Sequence, residues 1–199
     1  MPNWFNFTLE VSGKEEDVQE FVQNVKGSKK YDTKDYVFDF NHFIPQPDNI
    51  FRGALGSEEE KYCKDNNLPD WYNWNVENWG TKWNANVDNS CWTSDYSFTY
   101  EMATAWADPR PIFQAMFEKY PHLAFEIEGE EESCEYGLYI KFDKGNIGSA
   151  YEEEPTFVDE TNNREVYWES EDYLYRYVDN DEIVPDQEDF YPITKYSWT

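Results

Sequence analysis

The sequence is poor in bases, in branched aliphatics and in the residues that commonly do chemistry. Lys and Arg number 16 against 42 Asp and Glu, a net charge of −26. Such a field repels nucleic acid and anionic membranes, and it draws basic surfaces at raised rates. There are three cysteines, Cys63, Cys91 and Cys134, an odd number at wide spacings with no CxxC. That excludes a disulfide framework or a zinc pattern and fits a reduced, cytosolic setting. No run of 18 apolar residues is present, so no membrane span is expected. The opening "MPNWFNFTLEV" lacks the basic and apolar regions of a signal peptide. Only two histidines occur, and neither GxxxxGK[ST] nor GxGxxG is found, which leaves nucleotide binding unsupported.

Aromatic residues are abundant: 9 Trp, 16 Tyr and 14 Phe. Disorder goes with few aromatics, so this chain folds despite its charge. With Leu, Ile and Val sparse, rings must supply much of the buried area. The 199 residues suffice for one domain with a hydrophobic core.

The acidity is polarised. Residues 1–120 carry 11 bases and 20 acids, whereas residues 121–199 carry 5 and 22. "EIEGEEESCE" (126–135) packs six carboxylates into ten positions. A net charge of magnitude about 2–8 already keeps a small domain soluble, so the excess calls for another cause.

Periodicity outlines the fold. Phe5, Phe7, Leu9 and Val11 alternate in a strand, and Val18, Phe21, Val22 and Val25 follow at helical spacing. "YVFDFNHFIP" (36–45) is expected to be a second strand. Residues 46–82 form an insertion, with a short helix capped by Ser57 and a second between Pro69 and Gly80. Antiparallel strands are expected in "NANVDNSCW" and "DYSFTYEMATAWA". "DPRPIFQAMFEKYP" (108–121) is a helix capped by Asp108. "HLAFEIEGE" and "CEYGLYIKFD" are a strand and its hairpin partner, with Leu123, Phe125 and Ile127 inward and Glu126 and Glu128 outward. "KGNIGSA" (144–150) is a turn. The order β-α-β, insertion, β-β-α-β-β specifies an α+β ferredoxin-like sandwich, an antiparallel sheet with two helices on one face. It would occupy residues 1–149, and an acidic, aromatic-rich C-terminal extension, 150–199, would pack on it. In the extension Tyr173, Tyr175 and Tyr177 alternate as in a strand, with a helix over 164–178 as the alternative.

"MPNW", "FDFNHFIPQP" (38–47), "ENWGTKWNA" (77–85) and "TAWADPRPIFQAMFEKYPHLAFEIEGEEE" (104–132) resemble, in order, stretches of the Api92-like or YubB-like ferredoxin-like proteins of bacteriophages, prophages and plasmids. The resemblance spans roughly residues 1–145. It implies the fold and a mobile-element origin, and it supplies no activity and no catalytic residue. Trp4, Trp79, Gly80, Trp83, Trp106 and Pro111 carry over as structural positions.

Each candidate chemistry has a plainer reading. "DNDEIVPDQED" (179–189) has the composition of a calcium loop but lacks the glycine and spaced glutamate of an EF-hand. His42 and His122 suit structural and turn roles, and no cysteine has an activating context. The tryptophans at 71–83 could stack sugars or bases, but a small core beneath the insertion is the expectation.

The acid surface remains. Same-face residues of a strand lie about 6.8 Å apart and strands about 4.8 Å, and duplex DNA carries a charge per roughly 1.7 Å of axis. Carboxylates on neighbouring outward positions can therefore stand in for phosphates. The expectation is a non-enzymatic inhibitor, from the phage or other mobile element that the resemblance implies. It would act in the host cytoplasm, on a host defence protein (CRISPR, restriction or similar) or DNA-handling protein with a basic, nucleic-acid-binding surface. The expected contact residues are Glu126, Glu128, Glu130, Glu131, Glu132, Glu135, Glu152, Glu153, Glu154, Glu169, Glu171 and Asp172, with Trp168, Tyr173 and Tyr175 as apolar anchors. No cofactor, resident metal, direct nucleic-acid contact or membrane contact is expected. The alternatives are an interaction module whose acidity only confers solubility, and a metal-dependent hydrolase using clustered carboxylates.

Overall fold

The computed structural model describes residues 3–27, 36–133, 136–153, 156–159, 164–169 and 174–177, with side chains through residue 145. Its main sheet is six-stranded and antiparallel, in the order β2-β3-β1-β4-β5-β6. The strands are β1 (Trp4–Ser12), β2 (Asn86–Ser94), β3 (Ser97–Ala105), β4 (Ala124–Glu131), β5 (Gly137–Asp143) and β6 (Asn146–Glu153). Helix α1 (Glu15–Asn24) follows β1, and α4 (Arg110–Lys119) joins β3 to β4. Between α1 and β2 stand a 3-10 turn, Phe40–His42, and two helices, α2 (Ser57–Asp65) and α3 (Trp71–Trp79). Strands β7 (Thr156–Asp159), β8 (Arg164–Glu169) and β9 (Leu174–Tyr177) make a second, three-stranded sheet.

Strict alternation explains the layers. Phe5, Phe7, Leu9 and Val11 are buried on β1, and their register partners Phe98, Tyr100, Met102, Phe125 and Ile127 are buried beside them. Val18, Phe21 and Val22 of α1 and Ile112, Phe113, Met116 and Phe117 of α4 close over this face. Rings dominate the contact, as their abundance predicts. Phe117 stacks on Phe142 at 4.5 Å, Phe7 meets Phe113 edge-on at 5.4 Å, and Phe21 meets Tyr120 at 5.0 Å.

Two glycines are set by space and backbone. A Cβ on Gly129 would lie 2.5 Å from Phe7 Cβ and 2.7 Å from the Asn6 carbonyl, so the glycine that interrupts the acidic run is required by close strand approach. Gly80 ends α3 in the left-handed region, at φ 79°.

Four expectations are corrected. Residues 36–45 are not a strand: the Asp39 side chain accepts from Asn41 N, and Asn84 Oδ1 accepts from Phe40 N. These local bonds take the amides a ladder would need. Phe38 and Phe40 are still buried, so their alternation reports burial without a sheet. The second strand of the sandwich is β2, after the two helices. Asp108 does not cap α4, whose N-cap is Pro109. Its carboxylate instead receives Arg110 at 2.9 Å and the Tyr136 hydroxyl at 2.7 Å. Gly56 rather than Ser57 caps α2, its N–H donating to Glu59 at 3.1 Å. The turn expected over 144–150 is confined to Lys144 and Gly145, and β6 follows at once. The alternation near 173–177 is realised as strand β9, and β8 takes the place of the alternative helix.

Tyr100 is fully buried, and its hydroxyl has no hydrogen-bond partner among the described residues. Tyr100→Phe removes that unpaired group and keeps the ring contacts. It is expected to stabilise the protein by about 1 kcal/mol in denaturant unfolding. Gly129→Ala is expected to cost about 1–3 kcal/mol in the same measurement, because the new methyl overlaps Phe7 and the β1 backbone.

Candidate functional site

The face of the main sheet opposite α1 and α4 carries the outward positions of each strand. Glu10 of β1 is directly opposite Glu126 of β4. Thr8 lies between Glu128 on one side and Glu101 of β3 on the other, and Asn6 faces Glu130. Asp88 of β2 joins Glu101, Glu128 and Glu130 around a shallow trough of about 590 Å³ floored by Asn6 and Thr8. Like charges directly across a ladder destabilise it. The protein moderates the clash locally. Ser97 donates its hydroxyl to Glu10 at 2.6 Å, and Tyr139 and Lys141 reach Glu126 at 3.0 and 3.3 Å.

The predicted contact residues divide as follows. Glu126, Glu128 and Glu130 share the open face as expected. Glu131 does not: it faces inward, 8% exposed, opposite Phe5, and accepts from the Ser133 amide at 3.1 Å and from the Ser133 hydroxyl. The alternation of β4 forces this, because Glu130 takes the outward position. Glu132 is exposed, and its carboxylate accepts from Trp4 N at 3.2 Å, pinning the start of β1. Glu152 and Glu153 lie on β6, where Glu153 is level with Gly137 and therefore with the Glu130–Asn6 row. Trp168 pairs directly with Tyr175 across β8 and β9, and Glu169 pairs with Leu174. Glu135, Glu154, Glu171, Asp172 and Tyr173 lie outside the described residues, as do Cys134 and the 179–189 segment.

Glu10, Glu101 and Asp88 also face this side, and they lie outside the C-terminal segment to which the polarised composition points. The alternation in β1 and β3 held the signal: once Leu9 and Tyr100 are inward, Glu10 and Glu101 must face out.

A second feature lies among the tryptophans expected to be structural. Trp79 is core, and Trp74 packs against it. Trp83 and Trp106 are 38% and 44% exposed, however, and together with Tyr72 they surround the Lys82 ammonium at 4.6, 5.0 and 5.5 Å. Contacts of this kind contribute roughly 0.5–1 kcal/mol each at exposed sites. Trp4 lies 6.0 Å from Trp83. Trp106 adopts a left-handed backbone at φ 75°, a strained conformation for so large a residue. Trp4, Trp71 and Trp83 line a cleft of about 710 Å³, whose polar walls are Asn and Gln amides and Arg52. Those amides are tied down: Gln46 donates to Asn75 at 2.6 Å, and Asn41 and Asn84 both donate to Asp39.

Among the described residues no three His, Cys, Asp or Glu side chains gather in a metal-holding arrangement. No described helix is long and apolar enough to cross a membrane. Cys63 is buried and Cys91 exposed. The His42 ring bonds the Tyr120 hydroxyl at 2.7 Å. Its pKa is pushed down to about 4, chiefly by burial and next by Lys119, with Asp39 opposing.

The chain is similar to known proteins in two comparisons. Residues 78–171 match the family model described as the ferredoxin-like domain in Api92-like protein. The crystal structure of a protein api92 from Yersinia pseudotuberculosis aligns with 77% of this chain and 98% of its own, at 7% identity and a TM-score of 0.49. Comparison with curated proteins gave no match.

Because the folded state holds His42 neutral, its contribution to stability is complete above pH 6.5 and is lost as pH falls from 6.5 toward 4. In His42→Gln, the loss of stability over that interval is expected to be smaller than in the parent, as measured by unfolding at each pH.

Proposed function

Taking the chain as one that carries the ferredoxin-like domain of Api92-like proteins over residues 78–171, we propose that it is a non-enzymatic binding protein. It engages a basic, nucleic-acid-binding surface of another protein through the open face of its sheet. The observation that carries this reading is the set Glu10, Glu101, Glu126, Glu128 and Glu130, drawn from three adjacent strands onto one side of the fold. Strand geometry spaces them at about 4.8 Å across and about 6.8 Å along the sheet. A lattice of that pitch offers Arg and Lys side chains the charge-assisted bonds they make with phosphate. Helix packing on the other face keeps it rigid, so little ordering cost opposes binding.

The biological role in this proposal is inhibition. A mobile element meets host defence and DNA-processing proteins whose clefts are basic, and a carboxylate surface fills such a cleft in place of DNA. Association would be fast and would weaken with salt. The Glu10–Glu126 opposition supports this over a role in solubility alone. Solubility is served by dispersed charge, and here like charges face each other at a cost to the fold.

The test mixes the protein with restriction and CRISPR nucleases and follows DNA binding as salt is raised. Inhibition is expected to compete with DNA and to weaken about tenfold or more in the combined Glu126→Lys, Glu128→Lys and Glu130→Lys variant. Inhibition that ignores ionic strength, or that survives the triple reversal, would leave an interaction module whose acidity serves solubility.

A further inference from the structure

The cleft beside Trp83 has a chemistry unlike the rest of the surface. Its volume of about 710 Å³ falls within the roughly 300–1,000 Å³ of small-molecule sites. No carboxylate is among its described lining residues, in a chain with 42 acids. Four tryptophan rings, several carboxamides and one guanidinium are among its walls. We propose that this cleft binds a neutral saccharide, with a sugar ring laid against the Trp4–Trp83 pair and its hydroxyls on the amides.

The wall chemistry selects that class. A sugar ring presents a flat C–H face, which suits a large, rigid aromatic surface. It also carries hydroxyls that each donate and accept, and the carboxamide is the side chain that does both at fixed positions. The Asn86 amide donates to Asp88 at 2.9 Å, leaving its carbonyl oxygen for a ligand. Asn41 gives one hydrogen to Asp39 and keeps another. Among the described residues Arg52 makes only long bonds, at 3.3 Å to the Ile50 carbonyl and 3.5 Å to Gln46, which leaves donors for a ligand.

Charge decides against anionic ligands. A nucleotide or sugar phosphate must approach a molecule of net charge −26, whereas a neutral sugar meets no such barrier. Arg52 is a single cation in the wall, and the buried Asp39 carboxylate lies behind Asn41 and Asn84 of the same wall. The walls are also set before a ligand arrives. Lys82 sits 4.6 Å from the Trp83 ring, Trp71 donates to the Gly53 carbonyl at 3.0 Å, and Gln46 holds Asn75. Binding then orders little. This proposal is independent of the acidic face: one can fail while the other stands.

The experiment titrates the full chain with neutral trisaccharides of glucose, N-acetylglucosamine, mannose and xylose, reading tryptophan fluorescence and saturation-transfer NMR. Adenosine serves as an uncharged heterocycle for comparison. At least one trisaccharide is expected to saturate, with Kd on the order of 1 mM. Trp83→Ala should weaken it about tenfold or more, and Asn86→Ala about threefold or more, while Glu118→Gln leaves it unchanged. Trp83 and Asn86 are both exposed, so at least one variant is expected to retain the fold, which circular dichroism checks. The proposal is overturned if no trisaccharide saturates. It is equally overturned if adenosine alone does, or if the folded variants bind as well as the parent.

Discussion

Alternation along β1 and β4 couples the two faces of the main sheet. Phe5, Phe7, Leu9 and Val11 must face α1 and α4, because their burial supplies the apolar area that the sparse aliphatics cannot. Once they do, Thr8 and Glu10 have no choice of side, and neither do Glu126, Glu128 and Glu130 opposite. A one-residue slip would bury a row of carboxylates and expose a row of rings. The core thus holds the acidic surface in register, and the repulsion within that surface is borne by the packing beneath it.

The same coupling explains Gly129 and Glu131. Gly129 sits inward where Phe7 and the Asn6 carbonyl leave no room for a methyl, and Glu131 sits inward because the strand continues its alternation to its end. Acidic composition over 126–132 is therefore not a uniform acidic surface. Three of its positions, Ile127, Gly129 and Glu131, belong to the interior side, and one, Glu132, secures the neighbouring strand through the Trp4 amide.

Much of the fold was legible in the sequence, and where it failed the reasons are physical. Amphipathic periods located β1, α1, the β2–β3 hairpin, α4 and the β4–β5 hairpin, because each buries one face. Residues 36–45 carry the same alternation and are no strand. Burial of Phe38 and Phe40 needs only that the rings point inward, and Asp39 and Asn84 satisfy the backbone without a ladder. On the acidic face, Glu126, Glu128 and Glu130 could be placed from local pattern, whereas Glu10 and Glu101 required knowing which strands lie together. The Lys82 cluster was not legible at all. Tyr72, Trp83 and Trp106 meet through the crossing of a helix end, a loop and a strand end, and nothing in their spacing announces it.

Among the described residues β2 is an edge of the main sheet, paired with β3 alone, and it carries two register irregularities, at Val87/Asn89 and Trp92/Ser94. An extended, regular border invites another chain to add itself, and bulges twist such a border out of line. A protein rich in β-structure and exposed rings is prone to stick to itself when concentrated. The interrupted border makes this side a poor template for growth into fibres.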